Sequence, residues 1–440
     1  MSQAKNYRKN KLIPVGIFIL YWLIPLVYAA VSGQPEAGLT GFQAVKSAVS
    51  SLFCTKGYTP LIMIFFIELG LVIFGLIYIR TRKQKLTWGN GFGKDGGLLL
   101  VFLLLLIVPF IIAWQTESSV CVRGKSFFWQ SIFIEVFILA TLAMSYNLMF
   151  GFTGVISFGH AAFFGIGAYG VGLLIYHLEW PLGISVIATL LLSIVLGLFV
   201  SVIGIRIRGL YFAIFTLAFA EIFFILSQNR IMTEITGAED GFTFSVPDWI
   251  NATHNRLTFY YLALLYLLFT YWFIRRLVNS PTGRIMGALR DNEDRALMLG
   301  YNTFWFKTLS IVTAGTLASG AGILRALLNK GASPNVLGLN FTMDPLLMTL
   351  IGGAGTYNGP VIGAFFLRLT EQVLRDATLQ LGAIEINIGE RWALILGGLF
   401  ILSVLVFPAG IVGTWRLKSP QIRQGWQRLL KRFKVEQPDQ

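Results

Sequence analysis

The sequence predicts an all-α polytopic membrane protein, and three observations predict it. Hydrophobic residues make up 55% of the 440 and charged residues only 13%, about half the charge of an ordinary soluble domain, and the mean hydropathy is +0.69. Apolar runs of roughly 20 residues, the length that crosses a bilayer as a helix, recur along the chain. Basic residues gather in alternate connecting segments, so the net charge of +14 reads as the positive-inside rule and not as a nucleic-acid surface.

Taken in order, the runs at 12–31, 60–79, 97–114, 127–150, 155–176, 181–205, 209–228, 258–274, 308–328 and 392–413 give about ten full spans. The first follows a basic start and closes on Tyr28-Ala29-Ala30 in the manner of a signal peptide, but its length fits an uncleaved span. Two further runs, 343–353 and 360–375, are shorter. The first would make only about 16 Å of helix, and the second carries Arg368 and Glu371. They are expected as a re-entrant or half-helix pair.

Charge sets the orientation. With a cytoplasmic N-terminus, one side collects Lys5, Arg8, Lys9 and Lys11, then Arg80, Arg82, Lys83, Lys85 and Lys94, then Arg206 and Arg208. The basic residues between Arg275 and Lys307 and those of the tail join them. This holds only if 343–375 enters and returns, which places the C-terminus in the cytoplasm as well. The expected organisation is an N-terminal extension with three spans (1–120), a membrane core (121–415) and a basic cytoplasmic tail (416–440).

A polar island at 280–307, SPTGRIMGALRDNEDRALMLGYNTFWFK, separates two apolar spans. Asp291 and Asn292 suit an N-cap, Glu293 and Asp294 place negative charge on the first turn, and Gly300 can close the helix in a left-handed conformation. The pattern predicts a helix of about 8 residues, roughly 12 Å long. Ala296, Leu297 and Leu299 recur at a spacing suited to a groove on another protein. The alternative is a solvated connector.

Two segments are broken by glycine inside apolar surroundings. One is NLMFGFTGVISFGH at 147–160 and the other is GGAGTYNGP at 352–360. Lipid does not tolerate such breaks unless protein or a water-filled cavity covers them, and a pair of them, one in each half of the core, points to a translocation path. The candidate path residues are Asn147, Gly151, Thr153, Gly154, Ser157, Gly159, His160, Gly352, Gly353, Gly355 and Asn358.

Other features weigh less. The GxGxxG at 165–170 follows no strand and sits in an apolar run, so it reads as close helix packing, as do Ala314, Ala318 and Gly322. Glu68, Glu135, Glu221, Arg368 and Glu371 fall within spans, where ionisable groups are costly. Pairing or cavity lining is the expectation for them, with Arg368 and Glu371 able to pair at i, i+3. His160, His177 and His254 are too scattered for a metal site, and His160 is expected to line a polar path or bond across packed helices. Cys54 and Cys121 fall in exported loops of this topology, leaving a disulfide and two free thiols equally open. Neither a Walker A motif nor a nucleophile elbow occurs, so any nucleotide engine belongs to another chain.

The blocks at 147–170, 208–221 (RGLYFAIFTLAFAE), 283–307 and 350–364 (LIGGAGTYNGPVIGA) together resemble the M-type permease subunits of branched-chain amino-acid ABC importers. The resemblance implies a subunit of the bacterial inner membrane that pairs with a second, homologous permease. It further implies two cytoplasmic ATPases, which bind the ATP and Mg, and a periplasmic binding protein that delivers the cargo. The chain itself then needs no cofactor and performs no catalysis. Asp294, Arg295, Ala296 and Gly300 fall where such importers carry an EAAxxxG coupling loop, with Arg290, Asp291, Glu293 and Leu299 beside it. Here Asp replaces Glu, Arg replaces the first Ala, and the following Leu-Pro is missing. The cargo implied is a branched-chain amino acid, with urea or short amides as the alternative in related permeases. An ion-coupled secondary transporter is the rival from another class.

Overall fold

The computed structural model describes residues 92–116, 124–204, 207, 209–253, 255–375, 378–381, 384–387 and 392–414. The expected spans at 12–31 and 60–79, Glu68, Arg206, Arg208, His254, the two cysteines and the basic tail lie outside the described residues. The chain divides into two compact units, one running to Ser131 and including Thr253–Leu257, the other holding the remainder.

In the first unit, α1 (Phe92–Gln115) contains Pro109 and buries Phe110 and Ala113. The first turns of α2 (Lys125–Asn147) belong here too. The Arg256 guanidinium lies 4.1 Å from the centre of the Phe127 ring and donates to Ser131 Oγ, a cation held against the face of an aromatic ring.

The second unit is built on α2, α3 (His160–Leu178), α4 (Leu182–Gly204), α5 (Leu210–Gln228), α6 (Arg256–Val278) and α9 (Thr303–Asn329). Between them lie α7 (Pro281–Asp291), α8 (Glu293–Met298), α10 (Asn340–Gly352), α11 (Gly359–Arg375) and α12 (Trp392–Val406). Seven helices among the described residues are long and apolar enough to cross a membrane, the last being Ala393–Thr414. The fold is therefore all-α and polytopic, and α10 and α11, of 13 and 17 residues, are the shorter pair expected near 343–375. Strands are marginal, with Phe242–Thr243 pairing Gly331–Ala332 and Thr378–Leu381 pairing Ile384–Asn387.

Most of α2, α3 and α9 is buried, whereas α4, α5 and the last span bury less than a third of their residues. The centre forms because α3 and α9 are rich in small residues. A side chain on Gly167 would run into the backbone of Ser319, and one on Gly322 into the backbone of Phe164, so the two helices meet main chain to main chain. That is the packing expected of the GxGxxG run and of Ala314, Ala318 and Gly322. Phe164 then stacks on Phe341 of α10, centroids 4.6 Å apart.

The polar island holds two helices where one of about 8 residues is expected. Ser280 caps α7, accepting from Gly283 N at 3.2 Å, with Pro281 in the first turn, and eleven residues follow in helix. Asp291 ends that helix and does not cap the next. Asn292 is the cap of α8, accepting from Arg295 N at 2.9 Å, and α8 has 6 residues. Gly300 closes it at φ +84°.

Candidate functional site

The two broken segments meet. At the end of α2 the chain widens into a π-type turn, Leu148–Phe152, and runs non-helically to Gly159, where α3 begins. Such a turn frees backbone groups that must find partners. Thr153 Oγ1 donates to Leu148 O at 3.1 Å and shares a hydrogen bond with Ser310 Oγ at 2.8 Å. Val155 N reaches Met149 O at 3.0 Å, and Gly151 O accepts from Arg290 Nη1.

Asn147 joins this break to the second one. Its amide donates to Thr356 O at 2.9 Å and its carbonyl oxygen accepts from Gly355 N at 2.9 Å. Phe152 stacks on Tyr357 with centroids 5.4 Å apart. Gly151 and Gly355 leave no room for side chains, since a Cβ on the first would strike Gly355 N and Asn147, and one on the second would strike Arg290. Gly355, at φ +73°, also needs the conformational freedom of glycine. Gly353 at φ +118° is backed by the main chain of Gly410.

Arg290, at the end of α7, is the third member. It packs along Gly154, bonds Gly151 O and borders Gly355, so the polar island touches both breaks through one guanidinium. The far side of the second break is tied to α6 and its end. Tyr271 Oη donates to Asn358 Oδ1 at 2.9 Å and Tyr357 Oη donates to Asn279 Oδ1 at 3.0 Å. Asn358 is exposed and Gly154 is exposed, whereas Asn147, Gly151, Thr153, Ser157, Gly159, His160, Gly352 and Gly353 are buried.

The rest of the first segment is pinned to neighbouring helices. Ser157 Oγ accepts from Gly159 N at 3.2 Å, Phe158 N donates to Thr216 Oγ1 of α5, and Ala161 N donates to Thr342 Oγ1 of α10 at 2.9 Å. His160 bonds Ser145 Oγ at 2.9 Å and packs edge-on against Tyr146, a histidine bonded across packed helices.

At the tip of the island, Ala296 is 2% exposed and packs into its own chain, while Met298 and Leu299 are 89% and 70% exposed. Ala296 is therefore not part of an outward apolar face. That face is Leu297, Met298 and Leu299, with Trp305 beyond. Asp291, Asp294 and Arg295 are exposed, and Glu293 pairs with Lys307 at 2.5 Å.

The charged residues inside the spans are mostly paired. Glu135 of α2 binds Arg325 of α9 at 2.7 Å and also Arg368 of α11. Arg368 pairs in turn with Glu371 at 2.5 Å, and Arg375 with Glu371 at 2.7 Å. Of the two expectations for Glu135, Arg368 and Glu371, pairing or cavity lining, these contacts are pairing. Arg325 was missed, although an arginine inside an apolar run signals a buried acid. Glu221 has no ion pair among the described residues and is exposed on α5, which leaves cavity lining as the reading for it. Missed too were the hydroxyls of Ser310, Tyr271 and Thr342, which carry no sequence signal because nothing local shows what they bond.

Residues 129–405 match the family described as branched-chain amino acid transport system / permease component. The chain is similar to the high-affinity branched-chain amino acid transport system permease protein LivM of Escherichia coli (strain K12), 27% identical over 90% of this chain and 93% of the relative. It is 24% identical to a probable branched-chain amino acid transport permease protein LivM of Methanocaldococcus jannaschii, over 64% of this chain and 92% of the relative. It is also 26% identical to the autoinducer 2 import system permease protein LsrC of Photorhabdus laumondii, over 63% of this chain and 79% of the relative. No solved structure matches.

Proposed function

The chain belongs to the branched-chain amino acid transport system permease family, and from that premise we propose that it forms part of the membrane path of an importer for aliphatic amino acids. It is a multi-pass membrane permease of the ABC type. In our reading it sits in a bacterial inner membrane beside a second, homologous permease. Two cytoplasmic ATPases hold the ATP and Mg, and a periplasmic binding protein delivers the cargo. Both termini and the polar island face the cytoplasm.

The observation that carries this reading is the convergence on Arg290. The exposed tip of Leu297, Met298 and Leu299 offers a short apolar wedge to an ATPase groove. Movement of that wedge is carried by α7 to Arg290, which holds Gly151 O and borders Gly355. The two breaks are joined through Asn147, so one displacement acts on both. Broken helices can re-pair their backbone groups in a second arrangement more readily than intact ones, which suits alternating access. The chain does no covalent chemistry in this scheme. Its work is to change shape, and hydrolysis is left to the partners.

Relatives at similar identity serve cargoes as different as branched-chain amino acids and autoinducer 2 by their descriptions, which favours the selecting being done by the binding protein. The test is leucine uptake into proteoliposomes holding the full complex. Uptake is expected to need internal ATP and loaded binding protein, and to survive collapse of ion gradients. Arg290→Ala should lower uptake about tenfold while the ATPases still assemble. Uptake by this chain alone, driven by a gradient, would contradict the reading.

A further inference from the structure

Glu221 occupies a place that lipid does not tolerate. On α5, Tyr211, Ile214, Ala218, Glu221 and Ile225 are exposed, recur at helical spacing and form one stripe, in which Glu221 is the single charge. The carboxylate has no hydrogen bond or ion pair among the described residues. The neighbouring α4 gives the contrast. Its exposed face, including Ile184, Ile187, Leu191, Val195, Phe199 and Val202, carries no charge and fits lipid. A lone acid within an otherwise similar stripe, roughly 17 Å from the start of a helix 19 residues long, would face hydrocarbon with no partner, which membrane proteins avoid by turning such groups to a protein or a water-filled cavity.

We propose that this stripe of α5 faces a water-filled translocation path and that the Glu221 carboxylate receives the α-ammonium group of the amino acid passing along it. One observation supports the placement and a second supports the cargo. Thr216, on the opposite side of α5, is buried and accepts from Phe158 N of the first broken segment at 3.1 Å, so α5 is fastened to that segment. The stripe sets Tyr211, Ile214, Ala218 and Ile225 around a single anion, and an aliphatic amino acid offers the complement of both, a branched apolar side chain and one cation. Charge complementarity selects the ammonium group over the carboxylate of the same cargo. The proposal rests on the amino-acid reading given above for the nature of the cargo, while the placement of the stripe does not.

The experiment uses the assembled transporter in proteoliposomes, with Cys54→Ser and Cys121→Ser as background. Single cysteines replace Glu221, Ile225 and, as a lipid-facing control, Ile187, and each is exposed to a membrane-impermeant thiol reagent. Labelling of E221C and I225C but not I187C is expected. Leucine should slow that labelling, whereas 4-methylpentanoate, which lacks the amine, should not. In parallel, Glu221→Gln should cut leucine uptake at saturating loaded binding protein by at least about tenfold, as expected when a hydrogen bond to a charged group is lost. Glu221→Asp should recover most of it, with all subunits still co-purifying. Labelling no faster than at I187C would overturn the placement, and full uptake by E221Q would overturn the role in cargo recognition. If the unsubstituted complex carried no leucine, the cargo reading would fall. The labelling pattern, read without cargo, would still decide where the stripe faces.

Discussion

Asn147 shows how much of the site depends on single side chains. It is 2% exposed, and its amide fills both a donor and an acceptor vacancy in the second break. Removing a buried partner leaves backbone groups without compensation, which costs more than the hydrogen bonds contribute when made. Asn147→Ala should therefore lower stability by roughly 1–3 kcal/mol, read as a fall in the melting temperature of the detergent-purified protein. Asn147→Asp, which keeps the acceptor for Gly355 N and loses the donor to Thr356 O, should fall between the two. Equal stability of all three would mean that the breaks are held by packing alone.

At the scale of elements, α2, α9 and α11 are tied by Glu135, whose carboxylate is shared between Arg325 and Arg368. Breaking such a pair strands the remaining charges in a poorly solvated place. Glu135→Gln should cost about 3 kcal/mol, and the double variant Glu135→Leu with Arg325→Leu should cost less than the sum of its parts, as a double-mutant cycle would show. The α8 tip behaves in the opposite way. Met298 and Leu299 touch little of their own chain, so Met298→Asp should leave stability within about 0.5 kcal/mol. The same change should reduce recovery of ATPases in a pull-down at least tenfold if Met298 is an anchor worth about 2 kcal/mol. Much at this scale was legible in the sequence. Apolar length marked the spans, glycine marked both breaks, and Asn292 and Gly300 marked the ends of α8. The Ser280-Pro281 pair was an equally readable start for α7, since a capping serine before proline opens a helix. The residues that follow it are too polar to show an apolar face, which masks the helix. Partners distant in sequence, such as Ser310 for Thr153 or Arg325 for Glu135, could not be read, because their pairing is a product of how the helices pack.

At the scale of the whole molecule, the mostly buried helices α2, α3 and α9 form the centre of the second unit, and the two broken segments meet where the polar island reaches it. Rigid helices can carry a displacement without absorbing it, whereas a turn such as Leu148–Phe152 can change its pairing. The central claim is that the island from Ser280 to Lys307 is a docking handle for partner ATPases and that its motion acts on the joined breaks. The measurement that tests it most directly is purification of the tagged protein from membranes in mild detergent, with the co-purifying chains identified and ATP hydrolysis assayed with and without leucine-loaded binding protein. The account predicts recovery of a second permease and two ATPases with hydrolysis stimulated by the loaded binding protein, and loss of the ATPases alone with Met298→Asp. Recovery of this chain by itself, competent for gradient-driven uptake, would contradict the account and reduce the island to a solvated connector.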